Sequence, residues 1–300
     1  MVAQAKGYLA ETDLGASLSI ELGWASVESK LASGQLCAAN VPPSFPLSLS
    51  LKKSGVAPTM RALAITAQHG EAITLNREAA AAFQAGKLST LKSLRIGVDA
   101  PHTLSPVLVR SWLKEARAEH HPGIQLVPLA ISQLVDLLND GYIQGFCCAE
   151  PIGQIAVEND LGVTVARSRD HPLLQIESVL AATDEFCNSH PAEAAAIAFA
   201  VNRARVFCAN PKHEAEILRI YRKHLMSKQA VPSRFFLGSG QTPALSTLVG
   251  FEPASSVGST SAKAKDPLGP LAALYATLPG ITAGEREIRE AIKRTFPGVP

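Results

Sequence analysis

Apolar residues along this chain switch between helical and strand spacing, in the order expected of α/β units. The clearest example is the stretch 134–151, LVDLLNDGYIQGFCCAEP. The leucines of its first half keep helical spacing, and Gly141 ends that helix. The short apolar run 143–148 is typical of a buried parallel strand, and Pro151 stops it because proline has no N–H for a ladder. Glu150 therefore stands at a strand end, where open α/β sheets bind ligands.

The same order of features occurs earlier in the chain. Residues 30–43 read KLASGQLCAANVPP. With Gly34 set on Gly141, Leu31 falls on Leu138, and the apolar strand residues that follow coincide as well. One interpretation is a pair of unrelated units that share a short pattern. The other is a pair of similar α/β lobes, each presenting a strand end to a shared ligand site.

The same periodicities predict further elements and a division into lobes. Strands are expected at 15–20, 36–41, 61–67, 72–75, 94–98, 125–129, 163–166 and 177–182. Helices are expected at 2–10, 26–33, 45–51, 77–85, 104–120, 132–140, 152–158, 184–188, 192–209, 213–225, 271–278 and 285–294. Residues 238–270 are rich in Ser, Gly, Pro, Ala and Thr, which predicts a loop or disordered tether. The expected domains are lobe one (1–90 with 176–236), lobe two (91–175), a flexible linker (237–270) and C-terminal helices (271–300).

Composition is that of a globular soluble protein and excludes several classes of function. Apolar residues make up 47% of the chain and charged residues 18%. The 28 basic and 26 acidic residues give a net charge of +2 without any Lys/Arg run, so no nucleic-acid partner is expected. No apolar run approaches the roughly 18 residues that a membrane helix needs. The N-terminal stretch lacks the apolar core of a signal peptide, which predicts a cytoplasmic location for the chain as given, or a periplasmic one if the natural start lies upstream.

The cysteines indicate free thiols rather than a disulfide framework. Their odd number, the adjacent pair Cys147-Cys148 and the lack of metal-ligand spacing all favour buried thiols in a reducing compartment. No metal or cofactor site is predicted from them.

Several longer phrases resemble a known family. Over residues 1–226 the chain contains, in this order, VAQAKGYL, ELGWASVESKLASGQLCAANVPP, GEAITLN, LRIGV, HTLSPVLVRSWL, DLLNDGYIQGFCCAEPIGQIAV and SVLAATDEF. Together they resemble the substrate-binding proteins of nitrate, nitrite and bicarbonate ABC transporters, a periplasmic-binding-protein-like family related to thiamine-precursor binding proteins and cytoplasmic nitrate sensors. The resemblance implies a type II α/β clamshell whose two lobes are mostly parallel sheets flanked by helices.

The resemblance also implies a function. The protein is expected to be a non-enzymatic receptor that binds a small molecule or an anion between its lobes, for transport or for sensing. Its expected protein partner is either an ABC transporter permease or a cytoplasmic regulatory protein.

Two residues of the family's ligand site are retained. The family's indole is present as Trp24, for which a wall of the ligand site and ordinary core packing are the two interpretations. The family's Glu-Pro pair is present at Glu150, which either contacts the ligand or braces the site.

Other site positions depart from the family. The amide of the family's G-[NQ]-A-I-T turn is replaced by Glu71. Its histidine falls at Ser105, with His102 and Thr103 close by, and its lysine falls at Ser178. An ionised carboxylate cannot donate to an anion and repels it, so nitrate is disfavoured. A neutral or cationic ligand, a protonated Glu71 and a decayed pocket are all compatible with the sequence.

Two further functions compete with ligand binding. Cys147 or Cys148 paired with His102 would make a thiolate nucleophile, although no G-x-S-x-G motif accompanies it. The missing pocket residues and the low-complexity tether are instead compatible with an interaction protein that has a vestigial pocket.

Overall fold

The computed structural model describes residues 1–21, 23–51, 58–99, 103–171, 176–227, 276 and 283–296. The strands are β1 (Ala38–Val41), β2 (Met60–Gln68), β3 (Glu71–Leu75), β4 (Leu94–Val98), β5 (Ile124–Pro128), β6 (Gly145–Ala149), β7 (Val163–Arg167) and β8 (Ile176–Thr183). The helices are α1 (Val2–Ala5), α2 (Trp24–Ala32), α3 (Ser44–Leu51), α4 (Arg77–Gln84), α5 (Ser105–Glu115), α6 (Ile131–Asn139), α7 (Ile152–Glu158), α8 (Asp184–Ser189), α9 (Pro191–Ala209), α10 (Glu214–Ser227) and α11 (Glu285–Thr295). No helix in these ranges is long and apolar enough to span a membrane.

The described residues form two compact units whose bounds differ from the expected ones. The first unit contains 1–68, 176–213 and 283–296, and the second contains 69–171 and 214–227. The first change of unit therefore falls after Gln68 rather than after residue 90. The reason is pairing, because β3 forms ladders with β6 and β7 of the second unit. The predicted linker 237–270 lies outside the described residues.

The second unit is built on a mixed sheet with the strand order β5-β4-β6-β3-β7. β4 runs parallel to β5 and β6, whereas β3 runs antiparallel to β6 and β7. The central stretch of the sequence forms its core, where Leu134, Ile143 and Phe146 are completely buried. Each such side chain contributes about 2 kcal/mol of hydrophobic stabilisation, which holds α6 and α7 on β6.

The first unit is built on a smaller sheet with the order β1-β8-β2, in which both pairings are antiparallel. α9 packs on β2, and α11 packs against α3 with Ile288 and Ile292 fully buried. The expectation of mostly parallel lobes is therefore corrected in both described sheets. β3 and β8 each insert next to a strand of opposite direction, and this produces the antiparallel ladders.

The internal repeat predicted from the sequence is confirmed by its turns. Gly34 and Gly141 both adopt a left-handed conformation, with φ of 73° and 72°. Leu36 N–H donates to the carbonyl six residues earlier at 3.0 Å, and Ile143 N–H does the same at 3.2 Å. Both helices thus end in the same glycine-dependent C-terminal turn.

Other predicted elements are shorter than expected or absent. The predicted strand at 15–20 is wrong, because these residues form no ladder among the described parts of the chain. The predicted N-terminal helix ends at Ala5 since Gly7, with φ of 76°, leaves the helical conformation. The helix predicted over 104–120 ends at Glu115, shortly before Arg117 takes a φ of 53°.

Candidate functional site

Glu71, the first residue of β3, has a carboxylate held by hydrogen bonds inside the second unit. Ser105 Oγ lies 3.1 Å from Oε1 and 3.0 Å from Oε2 of this carboxylate. Cys147 Sγ lies 3.3 Å from Oε2, and the Glu71 backbone N–H donates to Ser168 Oγ at 3.1 Å. Because groups from three other segments converge on it, Glu71 is only 6% exposed and its position is fixed.

A second carboxylate, that of Asp99, shares the same serine. Ser105 Oγ lies 2.9 Å from Asp99 Oδ1, and Thr103 Oγ1 donates to that oxygen at 2.5 Å. A hydroxyl carries one proton, so Ser105 donates to one of the two carboxylates at a time. The N-terminal end of α5 adds the positive end of a helix dipole, a small effect beside two carboxylates. The site formed by Glu71, Asp99, Thr103 and Ser105, called the acidic cluster below, favours positive charge.

Cys147 acts in this cluster as a thiol. Burial, and next the negative charge of Glu71, raise its pKa well above the usual range. The protonated sulfur donates to Glu71. Cys148 is 1% exposed and lies in the apolar core, while His102 lies outside the described residues. A thiolate nucleophile at Cys147 or Cys148 is therefore disfavoured.

Glu150 has separate partners from those of the acidic cluster. Its carboxylate accepts from Arg167 Nη1 at 2.8 Å and from the Gln154 backbone N–H at 2.9 Å. Burial raises the pKa of Glu150, and the Gln154 N–H and Arg167 oppose that rise. The side chain ties β7 to the first turn of α7. This geometry favours the bracing interpretation over ligand contact.

Trp24 and Ser178 belong to the first unit. Trp24 begins α2 and its ring packs on Phe45, with centroids 5.6 Å apart. Ser178 lies on β8, and its Oγ is 2.7 Å from Thr66 Oγ1, which in turn lies 2.5 Å from Asn40 Oδ1. Ser178 is thus part of a neutral chain of hydroxyl and amide groups.

The internal repeat relates two of the predicted site residues, Glu71 on β3 and Ser178 on β8. Ser178 follows Glu71 by 107 positions, the same spacing as between Gly34 and Gly141 (141 minus 34). The ladder registers agree, since Ala38 faces Ala182 on β8 where Gly145 faces Leu75 on β3. Glu71 and Ser178, one ionisable and one neutral, therefore occupy equivalent places in their sheets.

Sequence reasoning grouped only part of this site. Of the seven predicted residues, Glu71, Thr103 and Ser105 come together in the acidic cluster. It missed Asp99, which directly follows the carboxyl end of β4. Open α/β sheets bind ligands at such strand ends, and this argument, which singled out Glu150, applies equally to Asp99. Among the described residues, no group of three or more His, Cys, Asp or Glu side chains is arranged to hold a metal ion.

Comparison with known proteins gives a family and relatives. A family model described as the NMT1-like family matches residues 1–221. The nitrate import ATP-binding protein NrtC of Synechocystis sp. is 30% identical over 236 residues, which are 73% of this chain. They are 34% of NrtC, so the chain spans only part of that relative's length.

Solved structures show the same fold. The periplasmic nitrate-binding protein NrtA from Synechocystis PCC 6803 matches with a TM-score of 0.66 and 16% identity, over 97% of this chain and 84% of that one. The alkanesulfonate-binding protein SsuA from Xanthomonas axonopodis pv. citri, bound to MOPS, matches with 0.64 and 11%, over 97% and 92%. These matches confirm the predicted fold class. They are binding proteins, in agreement with the prediction of a non-enzymatic role.

Proposed function

Because the chain belongs to the NMT1-like family, we propose that it is a substrate-binding protein of the ABC import type, which binds a small molecule and works with transporter components. The family match, the binding proteins that share its fold and the import protein NrtC support this proposal. A cytoplasmic regulatory partner, the other expectation, finds no support in these relatives.

The acidic cluster supports a ligand that is not nitrate. Glu71 accepts from Ser105 and Cys147, and Asp99 accepts from Thr103 and Ser105, so the hydroxyl and thiol protons are directed at the two carboxylates and not at a ligand. An anion about 5 Å from one ionised carboxylate is repelled by roughly 3 kcal/mol at an effective dielectric constant of 20. The proposed ligand instead carries N–H donors or a positive charge.

A planar group with several N–H donors fits such acceptors best. Guanidinium and amidinium groups pair with carboxylates through two parallel hydrogen bonds and add opposite charge. Aminopyrimidines offer N–H donors without a full charge. These groups define the proposed ligand class, and the acidic cluster is the observation that carries it.

The test is thermal unfolding of the full chain against a panel of small molecules. The panel contains methylguanidine, an aminopyrimidine, nitrate, nitrite, bicarbonate and MOPS. A ligand at about 100 times its dissociation constant adds about 2.7 kcal/mol to the free energy of unfolding. We expect a rise in Tm with a donor-bearing molecule and none with nitrate.

Matched variants show whether the cluster is responsible. Glu71→Gln should abolish the rise, whereas Glu78→Gln, which changes an exposed carboxylate in the same unit, should preserve it. A rise with nitrate in the unmodified chain would refute the proposed ligand class. No rise with any member of the panel would instead favour the vestigial pocket.

A further inference from the structure

The first unit contains a cavity of its own. It has a volume of about 330 Å³ and is lined by residues of β2 and of α9, the helix that packs on this strand. Both elements belong to the first unit, whereas the acidic cluster belongs to the second. The cavity is therefore a separate candidate site with its own chemistry.

A bulge in β2 explains why consecutive residues of this strand line the cavity. The side chains of a regular strand alternate between its two faces. Here Ala62 faces Ala181 on β8 and Ala64 faces the adjacent residue of β8, so two steps along β2 match one step along β8. Leu63 is the additional residue, and such a bulge disrupts the alternation and re-aims side chains. Leu63, Ala64 and Ile65 accordingly all line the cavity.

The wall on α9 combines a small, an aromatic and two polar residues. Ala198, Asn202 and Arg205 follow one another at i, i+4 and i+7, a spacing that aligns side chains along one face of a helix. Ala198 carries only a methyl group, which leaves room for the cavity. Phe199 also lines it and is 64% exposed, so its ring offers apolar surface to a bound molecule.

Arg205 gives the cavity a positive charge that is held in place. Its Nε and Nη2 groups both donate to Asn202 Oδ1, at 3.0 and 2.8 Å. This fork fixes the guanidinium plane, so little side-chain freedom is lost when an anion binds beside it. Because both bonds end on Oδ1, the two Nδ2 protons of Asn202 are not used in them and can be donated to a ligand. Among the described residues that line the cavity, Arg205 is the one that is charged at neutral pH.

We propose that this cavity binds a small monocarboxylate with a compact apolar body. The apolar body contacts Leu63, Ile65 and Phe199, and the carboxylate accepts from Arg205 and Asn202. Guanidinium and amide N–H groups match a planar carboxylate, and one positive residue balances one negative charge, whereas a phosphate monoester carries nearly two. The volume lies at the lower end of the range for small-molecule sites, so an arylalkanoate such as 3-phenylpropanoate is of suitable size.

The test follows the methyl NMR signals of Leu63 and Ile65 in the full chain during titration with 3-phenylpropanoate. Two related compounds separate the parts of this probe, since 3-phenylpropanol keeps the apolar body without the charge and acetate keeps the carboxylate without the body. Arg205→Met removes the charge, and Ala198→Leu fills the cavity. Lys212→Met is the matched control, because Lys212 is an exposed cation of the same unit that does not line the cavity.

We expect saturable shifts of both methyl signals with 3-phenylpropanoate, and binding about tenfold weaker or less for the alcohol and for acetate. Arg205→Met and Ala198→Leu should each weaken binding of 3-phenylpropanoate by about tenfold or more, and Lys212→Met by less than about twofold. The comparison of acid and alcohol uses the unmodified chain, so it decides the question even where a variant fails to fold.

Three results would overturn the proposal. The first is a set of shifts that do not saturate, or an equal affinity for the acid and the alcohol. The second is binding that survives in both cavity variants. The third is a shift of the same methyl signals with protein concentration alone, which would mean that a second copy of the chain covers this face.

Discussion

Replacing Arg167 by methionine removes the cationic partner of a buried carboxylate while keeping most of the side-chain volume. Arg167 Nη1 lies 2.8 Å from Glu150 Oε1, and the two side chains are 23% and 0% exposed. In the variant, Glu150 keeps its hydrogen bond from the Gln154 N–H but loses its counter-charge. The carboxylate must then stay ionised at high cost or bind a proton.

The magnitude follows from the distance. Two unit charges 2.8 Å apart attract by about 6 kcal/mol at an effective dielectric constant of 20. The partial exposure of Arg167 and protonation of Glu150 in the variant both reduce the loss. We therefore expect the free energy of unfolding to fall by about 3 kcal/mol near neutral pH, at the lower end of the range for breaking buried pairs.

The loss should depend on pH in a defined direction. Burial already raises the pKa of Glu150 above 4.5, and removing Arg167 raises it further. At a pH between the unfolded pKa and the higher folded pKa, the folded variant holds a proton that the unfolded chain has released. The free energy of unfolding of the variant therefore falls as pH rises through this window. The deficit is thus expected to be small near pH 5 and large near pH 8.

Urea unfolding at the two pH values provides the assay, with Glu150→Gln and the double variant completing a cycle. Arg77→Met is the matched control, because the Arg77–Asp160 pair is 69% and 88% exposed and should contribute under about 0.5 kcal/mol. An equal deficit at both pH values, or a double variant whose loss is the sum of the single losses, would refute the reasoning.

Three further predictions concern other parts of the fold. Gly145→Ala should lower the free energy of unfolding in urea by about 1–3 kcal/mol, because a Cβ there lies 2.8 Å from the Thr74 carbonyl oxygen. The opposite substitution at the corresponding position of the first unit, Ala38→Gly, should lower it by less, and the reverse order would contradict the packing argument. Thiol labelling of the native chain should modify Cys37 rapidly and the four buried cysteines slowly, so fast labelling that persists in Cys37→Ser would contradict it. Hydrogen bonds from Lys30, Ser26 and Ser19 lower the pKa of Glu21 to about 2; the stability it contributes is therefore lost as pH falls from 4.5, and Glu21→Gln should flatten the dependence of Tm on pH there.

Local pattern was sufficient to predict much of the second unit. Helix α6, the turn at Gly141 and strand β6 were predicted because helical spacing, a left-handed glycine and an apolar run are all properties of neighbouring residues. The acidic cluster was only half predicted. Asp99 follows β4 by one residue, but its approach to Glu71 depends on the order of strands in the sheet, which no local pattern states.

Pairing partners account for the remaining differences. Residues 15–20 alternate as a strand should, yet a strand needs a neighbour, and none is present in the described structure. The expected first lobe runs to residue 90 and so includes β3, because the strand at 94–98 is expected to open the second lobe, whereas the ladders of β3 with β6 and β7 place it in the second unit. In both cases the local conformational preference was visible and the tertiary partner was not.

Isothermal titration calorimetry with methylguanidine and with nitrate tests most directly whether the acidic cluster selects a donor-bearing ligand. Both are small and planar at the binding group but opposite in charge. We expect the unmodified chain to bind methylguanidine and not nitrate, and Glu71→Gln to lose methylguanidine binding while the protein still unfolds cooperatively. Binding of nitrate by the unmodified chain, or methylguanidine binding that survives in Glu71→Gln, would contradict the account.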